Sequence, residues 1–158
     1  MIVNTFRFGP LEVPEEKLIT MERPILGFEN YSDFCLIEIE ELAPFMWLQS
    51  TEDENVAFMV VNPVVFFPEY RIVVNPKEIA ELKVGRVELV ETYVIVTIHE
   101  ANREISANLQ GPILINTETR LAKQLVLVNS EYRVDHRILE ALESRSREEE
   151  LEPAEAMI

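Results

Sequence analysis

The stretch that decides the fold is Asn108-Leu109-Gln110-Gly111-Pro112-Ile113-Leu114-Ile115-Asn116, continuing through Arg120 to Gln124-Leu125-Val126-Leu127. Two extended apolar runs flank a Gly-Pro kink. Gly111 permits backbone angles that a larger residue resists, and Pro112 fixes φ and has no N–H to give to a ladder. The stretch therefore describes a strand that bends, or that ends and restarts at a sheet edge. Asn108 and Asn116 bracket the first run, where their side chains can bond nearby backbone as the ladder breaks. Taken alone, Gly-Pro most often marks a structural corner.

Short apolar runs fill the rest of the chain. Strands are expected over Ile2–Phe8, ending at Gly9-Pro10, then over Leu18–Met21, Phe34–Ile39, Phe45–Ser50 and Val56–Val61. The acidic turn Thr51–Asn55 joins the last two as a hairpin. Further strands are expected over Arg71–Val74, Val87–Val90, Tyr93–His99, Ile105–Leu109, Ile113–Ile115 and Leu121–Asn129, with Tyr132-Arg133-Val134 as a last extended piece. Prolines fence the apolar segment Pro63–Pro68 at both ends, which confines it to an edge or a loop. Its pattern puts Val64 and Phe66 in the core and leaves Phe67-Pro68-Glu69-Tyr70 as a contact patch.

Asn75-Pro76-Lys77-Glu78 is a helix start, with Asn as cap and Pro at the first helical position. The helix is expected to run about two turns through Leu82 and stop before Gly85. From Asp135, a possible cap, Ile138, Leu139 and Leu142 share one face of a second helix. Glu143–Arg147 and Arg145–Glu149 then add i,i+4 pairs, and Glu148–Ile158 is expected to fray. No strand–helix alternation repeats, which argues against a parallel sheet. The expected class is all-β: a small antiparallel β-barrel or barrel-like sandwich with one short helix and a C-terminal helix. Residues 1–137 form the β-domain, and 138–158 the C-terminal helix and acidic tail.

Charge narrows the function. The 158 residues carry 29 acids against 14 lysines and arginines, a net −15. Residues 140–158 hold seven acids and two arginines, so a net −10 stays on the body. Nucleic-acid binding needs cations to replace phosphate counterions. A surface this acidic repels nucleic acid and anionic membrane alike, and it draws in basic protein partners. The bland alternative is that the acid only keeps the protein in solution. The single cysteine, Cys35, sits in an apolar run, fits a reducing compartment and is expected in the core. No basic leader opens the chain, and no uncharged apolar stretch approaches the ~18 residues of a spanning helix. A cytoplasmic location is expected.

Catalytic chemistry is hard to find. His99 and His136 are the only histidines, with no metal-ligand spacing to Cys35 or to each other. Ser50, His99 and Asp53 could meet in a barrel, but no nucleophile-elbow glycines surround any serine. The four glycines are scattered and make no phosphate loop. No catalytic residue, metal or cofactor is expected. A small barrel hydrolase or ligand-binding protein is the alternative.

The motifs of the deciding stretch resemble the signature of the FliW family of flagellar assembly factors: Asn-Leu, a small residue, Pro-Ile, Ile-Asn and a Gln-led apolar strand. A second block agrees: Pro44-Phe45-Met46-Trp47-Leu48-Gln49-Ser50 with Asp53, Ala57-Phe58, Asn62-Pro63 and Phe67-Pro68-Glu69-Tyr70. In a third, Pro24-Ile25-Leu26-Gly27-Phe28-Glu29, the family more often has Gly in place of Pro24 and Pro in place of Leu26. The resemblance spans roughly residues 1–137. It implies a similar β-fold and a cytoplasmic, non-catalytic binding role. It implies two partners, flagellin and the small RNA-binding translational regulator CsrA, whose repression of flagellin synthesis the family lifts. The candidate partner-binding residues are Phe67, Pro68, Glu69, Tyr70, Asn108, Gly111, Pro112 and Asn116.

Overall fold

The computed structural model describes residues 1–83, 85–128 and 130–143. Among these run β1 (Ile2–Thr5), β2 (Gly9–Glu12), β3 (Leu18–Arg23), β4 (Asp33–Glu38), β5 (Met46–Ser50) and β6 (Ala57–Val61). After the short helix α1 (Pro76–Ala80) come β7 (Val90–His99), β8 (Glu104–Ala107), β9 (Ile113–Asn116), β10 (Leu121–Gln124) and β11 (His136–Arg137). A second helix, α2, occupies 138–143.

Strands β3-β4-β5-β6-β7-β9-β10 form a ring of seven, closed because β7 pairs with β9 and β10 pairs back onto β3. The β3–β10 pair is parallel and the others in the ring are antiparallel. A ring with an odd number of strands cannot alternate direction all the way round, so one parallel pair is a geometric necessity. The expectation of an all-β barrel is met, with that one departure from a purely antiparallel sheet.

Alternation along the strands fills the barrel. Phe34 and Leu36 of β4 point into a core with Ile19, Met21, Leu48, Val60, Ile113 and Ile115. Cys35 and Ile37 point outward, where the β1–β2 hairpin covers them with Val3 and where Val13 and Trp47 also pack. Both faces of β4 are buried, which explains its unbroken apolar text. A third cluster joins Phe66 and Tyr70 to Val94, Val96, Leu109 and Ile138, outside the ring. A fourth packs Leu82 on Leu114 and Leu125. Arg23 makes a two-bond fork to the Glu81 carboxylate, at 3.0 Å each, and buried Lys123 reaches Glu81 at 3.4 Å and the Glu78 carbonyl at 3.1 Å. These charges hold the α1 segment against β3 and β10.

Several local expectations are corrected. Gly9-Pro10 does not end the first strand; a turn at 6–8 precedes it, closed by Thr5, and Gly9 opens β2 with φ at +67°. Residues 71–75 form no strand, and Val87–Leu89 is a 3-10 turn leading into β7. Asn75 caps α1 as expected, accepting from the Lys77 N–H at 3.0 Å, but α1 has only five residues. Val64 is exposed, whereas Phe66 is buried. Tyr132–Val134 is not a strand. His136 and Arg137 pair with β8 instead, so α2 starts later than a cap at Asp135 would set it. The Glu143–Arg147 and Arg145–Glu149 pairs and the fraying of Glu148–Ile158 fall on residues outside those described.

Candidate functional site: an uncharged groove at the Gly111 corner

β8 and β9 run along the same edge of β7. Ala107 lies opposite Val96, and Ile113 opposite Tyr93. Five residues, 108–112, therefore face only two on β7. This is a strand that leaves the ladder and rejoins it, as the Gly-Pro text implies. The detour changes partners. Before it, β8 pairs outward with β11; after it, β9 pairs with β10 and closes the ring.

Every backbone N–H of the detour is engaged, and so are the carbonyls of Leu109, Gln110, Gly111 and Pro112. Asn108 Oδ1 accepts from the Gln110 and Gly111 N–H groups at 3.1 and 2.9 Å. The Leu109 and Gln110 N–H groups donate to the Arg133 carbonyl at 3.0 and 3.2 Å. Gln124 donates to the Gly111 carbonyl at 3.1 Å and accepts from the Leu26 N–H at 2.9 Å. A Cβ on Gly111 would stand 2.9 Å from Gln124 Nε2 and 3.0 Å from Asn108 Nδ2. Glycine is favoured here by the close approach of two hydrogen-bonded side-chain amides, not by a positive φ.

A groove of about 240 Å³ opens beside the detour. Buried Ile25 and half-buried Phe28, Phe58 and Ile95 line its depth, with Phe28 edge-on to Phe58 at 4.8 Å. Exposed Leu26, Val126 and Val134 also line it, together with the amides of Asn108, Gln110 and Gln124. No lining residue is charged, in a chain where 27% of residues are. A wider depression, about 490 Å³, is lined by Phe66, Phe67, Tyr70, Tyr132 and His136 with charged Glu69, Glu131 and Arg133. Leu109 lines this one while Asn108 and Gln110 line the first.

Six of the eight candidate residues thus fall into two groups on either side of the detour. Asn108 and Gly111 line the groove; Phe67, Pro68, Glu69 and Tyr70 line the depression. Pro68 and Glu69 are exposed and Phe67 is half-buried. Tyr70 is not the surface contact its text suggested: it is buried, donates to the Leu109 carbonyl at 2.7 Å, and its phenol pKa is pushed up by burial. Pro112 is buried too, its carbonyl accepting from the Leu125 N–H. Asn116 is 1% exposed. Its Nδ2 donates to the Leu82 carbonyl and its Oδ1 accepts from the Glu118 N–H, both at 2.9 Å. It is a buried clamp between β9 and the α1 segment.

Sequence reasoning missed Leu26, Phe58, Gln124, Val126 and Val134 as groove residues. The text gave no signal for them: Val126 and Val134 read as ordinary residues of extended segments, and their convergence with Leu26 depends on the β3–β10 pairing about a hundred residues apart.

The Ser50–His99–Asp53 alternative is not assembled. The Ser50 hydroxyl accepts from the Glu52 and Asp53 N–H groups, Asp53 accepts from Tyr31, and His99 lies on Ser106 at 2.8 Å. Among the described residues no group of three metal-ligating side chains comes together, and no helix is long and apolar enough to cross a membrane.

The family model described as FliW protein matches residues 2–138. The chain belongs to the FliW family. It is 39% identical over 140 residues to the flagellar assembly factor FliW of Leptospira interrogans serogroup Icterohaemorrhagiae serovar Lai (strain 56601), covering 88% of this chain and 93% of that protein. It is 37% identical over 145 residues to its namesake in Thermoanaerobacter pseudethanolicus (strain ATCC 33223 / 39E), covering 91% and 97%. A crystal structure of the flagellar assembly factor FliW superposes with a TM-score of 0.80 at 33% identity, covering 87% of this chain and 96% of that one. The family resemblance and the barrel fold expected from the sequence are thereby borne out.

Proposed function

We propose that this FliW-family chain is a cytoplasmic flagellar assembly factor that acts by binding proteins and catalyses nothing. It binds flagellin, and it antagonises the CsrA-type translational regulator so that flagellin mRNA is released from repression. The relatives' name, flagellar assembly factor, supports the biological setting. The observation that carries the reading is the uncharged groove in a molecule of net charge −15. An apolar groove suits a segment of an unfolded or partly folded partner. The acidic body suits a basic RNA binder, and once docked it repels incoming RNA by its field. That repulsion reaches about one Debye length, ~8 Å at physiological salt.

A native gel shift tests this. Target RNA bound to the regulator is expected to be released as this protein is added, more completely at low salt than at high. RNA occupancy unchanged at saturating protein contradicts the proposal.

A further inference from the structure

β3 leaves β10 at Arg23, where Pro24 and the turn at 25–28 carry the chain away. The chain after β10 runs on. Leu125 N–H donates to the Pro112 carbonyl and Leu127 N–H to the Gln110 carbonyl, both at 2.8 Å. In extended backbone, alternate N–H groups point to opposite edges. Those of Val126 and Val128 therefore point to the side that β3 has left. Among the described residues no hydrogen bond reaches the backbone of either valine. The two residues are 50% and 73% exposed. Sheet proteins blunt such edges with lysine, proline, bulges or a covering loop. Here the edge text is Val-Leu-Val, a strong strand former, and Val126 also lines the uncharged groove.

We propose that this edge and the groove form a strand-docking site: an extended, uncharged apolar segment of a partner protein pairs its backbone with Val126 and Val128 and seats a side chain over Phe28 and Phe58. The proposal rests on the reading of the chain as a protein-binding factor and names the form of the bound segment. Unpaired backbone groups in a row recognise extended chain; a helix has no backbone groups left to offer. A groove of about 240 Å³ is smaller than the ~300–1,000 Å³ of most small-molecule sites and suits a side chain. The absence of lining charge calls for an apolar side chain, and the net charge of −15 disfavours an acidic segment.

Amide hydrogen exchange on the isotope-labelled full chain tests the proposal. The probes are intact monomeric flagellin, overlapping short peptides tiled across flagellin and across the regulator, and a designed peptide, acetyl-Thr-Val-Thr-Val-Thr-Val-Thr-amide. In the free protein the Val126 and Val128 amides are expected to exchange fast. A tiled peptide and the designed peptide are each expected to slow both by about tenfold or more. Val126→Pro removes an unused N–H and leaves the Leu125 and Leu127 bonds in place; read at Val128, the one edge amide left, it is expected to abolish the protection. Leu26→Asp, which charges the groove without touching the edge, is expected to weaken it, with both variants checked for an unchanged melting profile. If flagellin binds and both valine amides keep their free exchange rates, strand docking is overturned while the proposed function stands. If neither flagellin nor the regulator binds, the proposed function fails and the designed peptide alone decides: protection supports the docking site, and its absence overturns it. Slow exchange in the free monomer, or protection that appears only on concentrating the protein alone, also overturns it, the occupant then being this chain or a second copy.

Discussion

The Tyr70 hydroxyl donates a 2.7 Å hydrogen bond to the carbonyl oxygen of Leu109 inside the core cluster that both side chains share. This bond ties the loop after β6 to the middle of the detour between β8 and β9. Tyr70→Phe keeps the ring, which lies 4.6 Å from Tyr132, and removes the donor. A buried carbonyl without its partner costs about 1–3 kcal/mol. Urea unfolding should show a loss of that size, whereas a surface role for Tyr70 gives none.

Gly111→Ala tests the close approach at the corner. The added methyl meets Gln124 Nε2 and Asn108 Nδ2, so one amide must move. Moving Gln124 breaks its bonds to Leu26 and Gly111 together. Overpacking of this kind costs about 1–3 kcal/mol. Both the unfolding midpoint and the amide shifts of Leu26 should change.

Asn116→Ala leaves the Glu118 N–H without its acceptor and takes one of two donors from the Leu82 carbonyl, which keeps the Thr119 hydroxyl at 3.1 Å. The expected loss is about 1–3 kcal/mol, since the site is buried and one backbone N–H loses its acceptor. Glu69→Lys, at an exposed position, should by contrast stay within about 0.5 kcal/mol of the parent. Comparing the two by denaturation separates clamp from surface.

How much of this was legible in the text is best seen at these residues. The Gly111-Pro112 break and its flanking asparagines were read correctly as a strand that restarts, because a missing N–H and a free φ are local facts. The apolar run at Phe34 was legible for the same reason. Tyr70 was misread as surface, and Asn116, rightly read as bonding nearby backbone, was also placed among the partner contacts although it is buried. A polar side chain beside an apolar run gives no local sign of whether water or a carbonyl 34 or 39 residues away takes its bond. The β2 strand was hidden because Gly9-Pro10 is turn text, and the turn lies just before it. The groove was hidden because the segments at 25–28, 58, 95, 108–111 and 124–126 meet only once the seven-strand ring closes.

His136 should make stability fall in mild acid. Its Nε2 accepts from the Arg133 N–H at 2.9 Å, and burial, then the Arg133 charge, lower its pKa below the ordinary 6.5; Asp135 and Glu131 oppose the shift. The folded state then binds fewer protons than the unfolded state just below pH 6.5, so stability rises with pH in that window. It is full above pH 6.5 and declines as pH falls toward the folded pKa. Urea midpoints between pH 7.5 and 5.5 should drop in the parent and drop less in His136→Gln.

Cys35 should be inert in the native protein. It is fully buried, and burial pushes its thiol up to about 11. A thiol reagent at pH 8 should label it only at the rate of unfolding. Rapid labelling of the folded chain would mean that the outer face of β4 opens.

The groove at the Gly111 corner is proposed to bind protein. Isothermal titration of the full chain into monomeric flagellin, for the parent and for Leu26→Asp, tests it most directly. Leu26 is 65% exposed, so the substitution should leave the melting temperature in place. Saturable binding by the parent is expected, with a loss of about tenfold or more in affinity for the variant, which is about 1.4 kcal/mol. Equal affinity of the two proteins, or no heat from either, would contradict it.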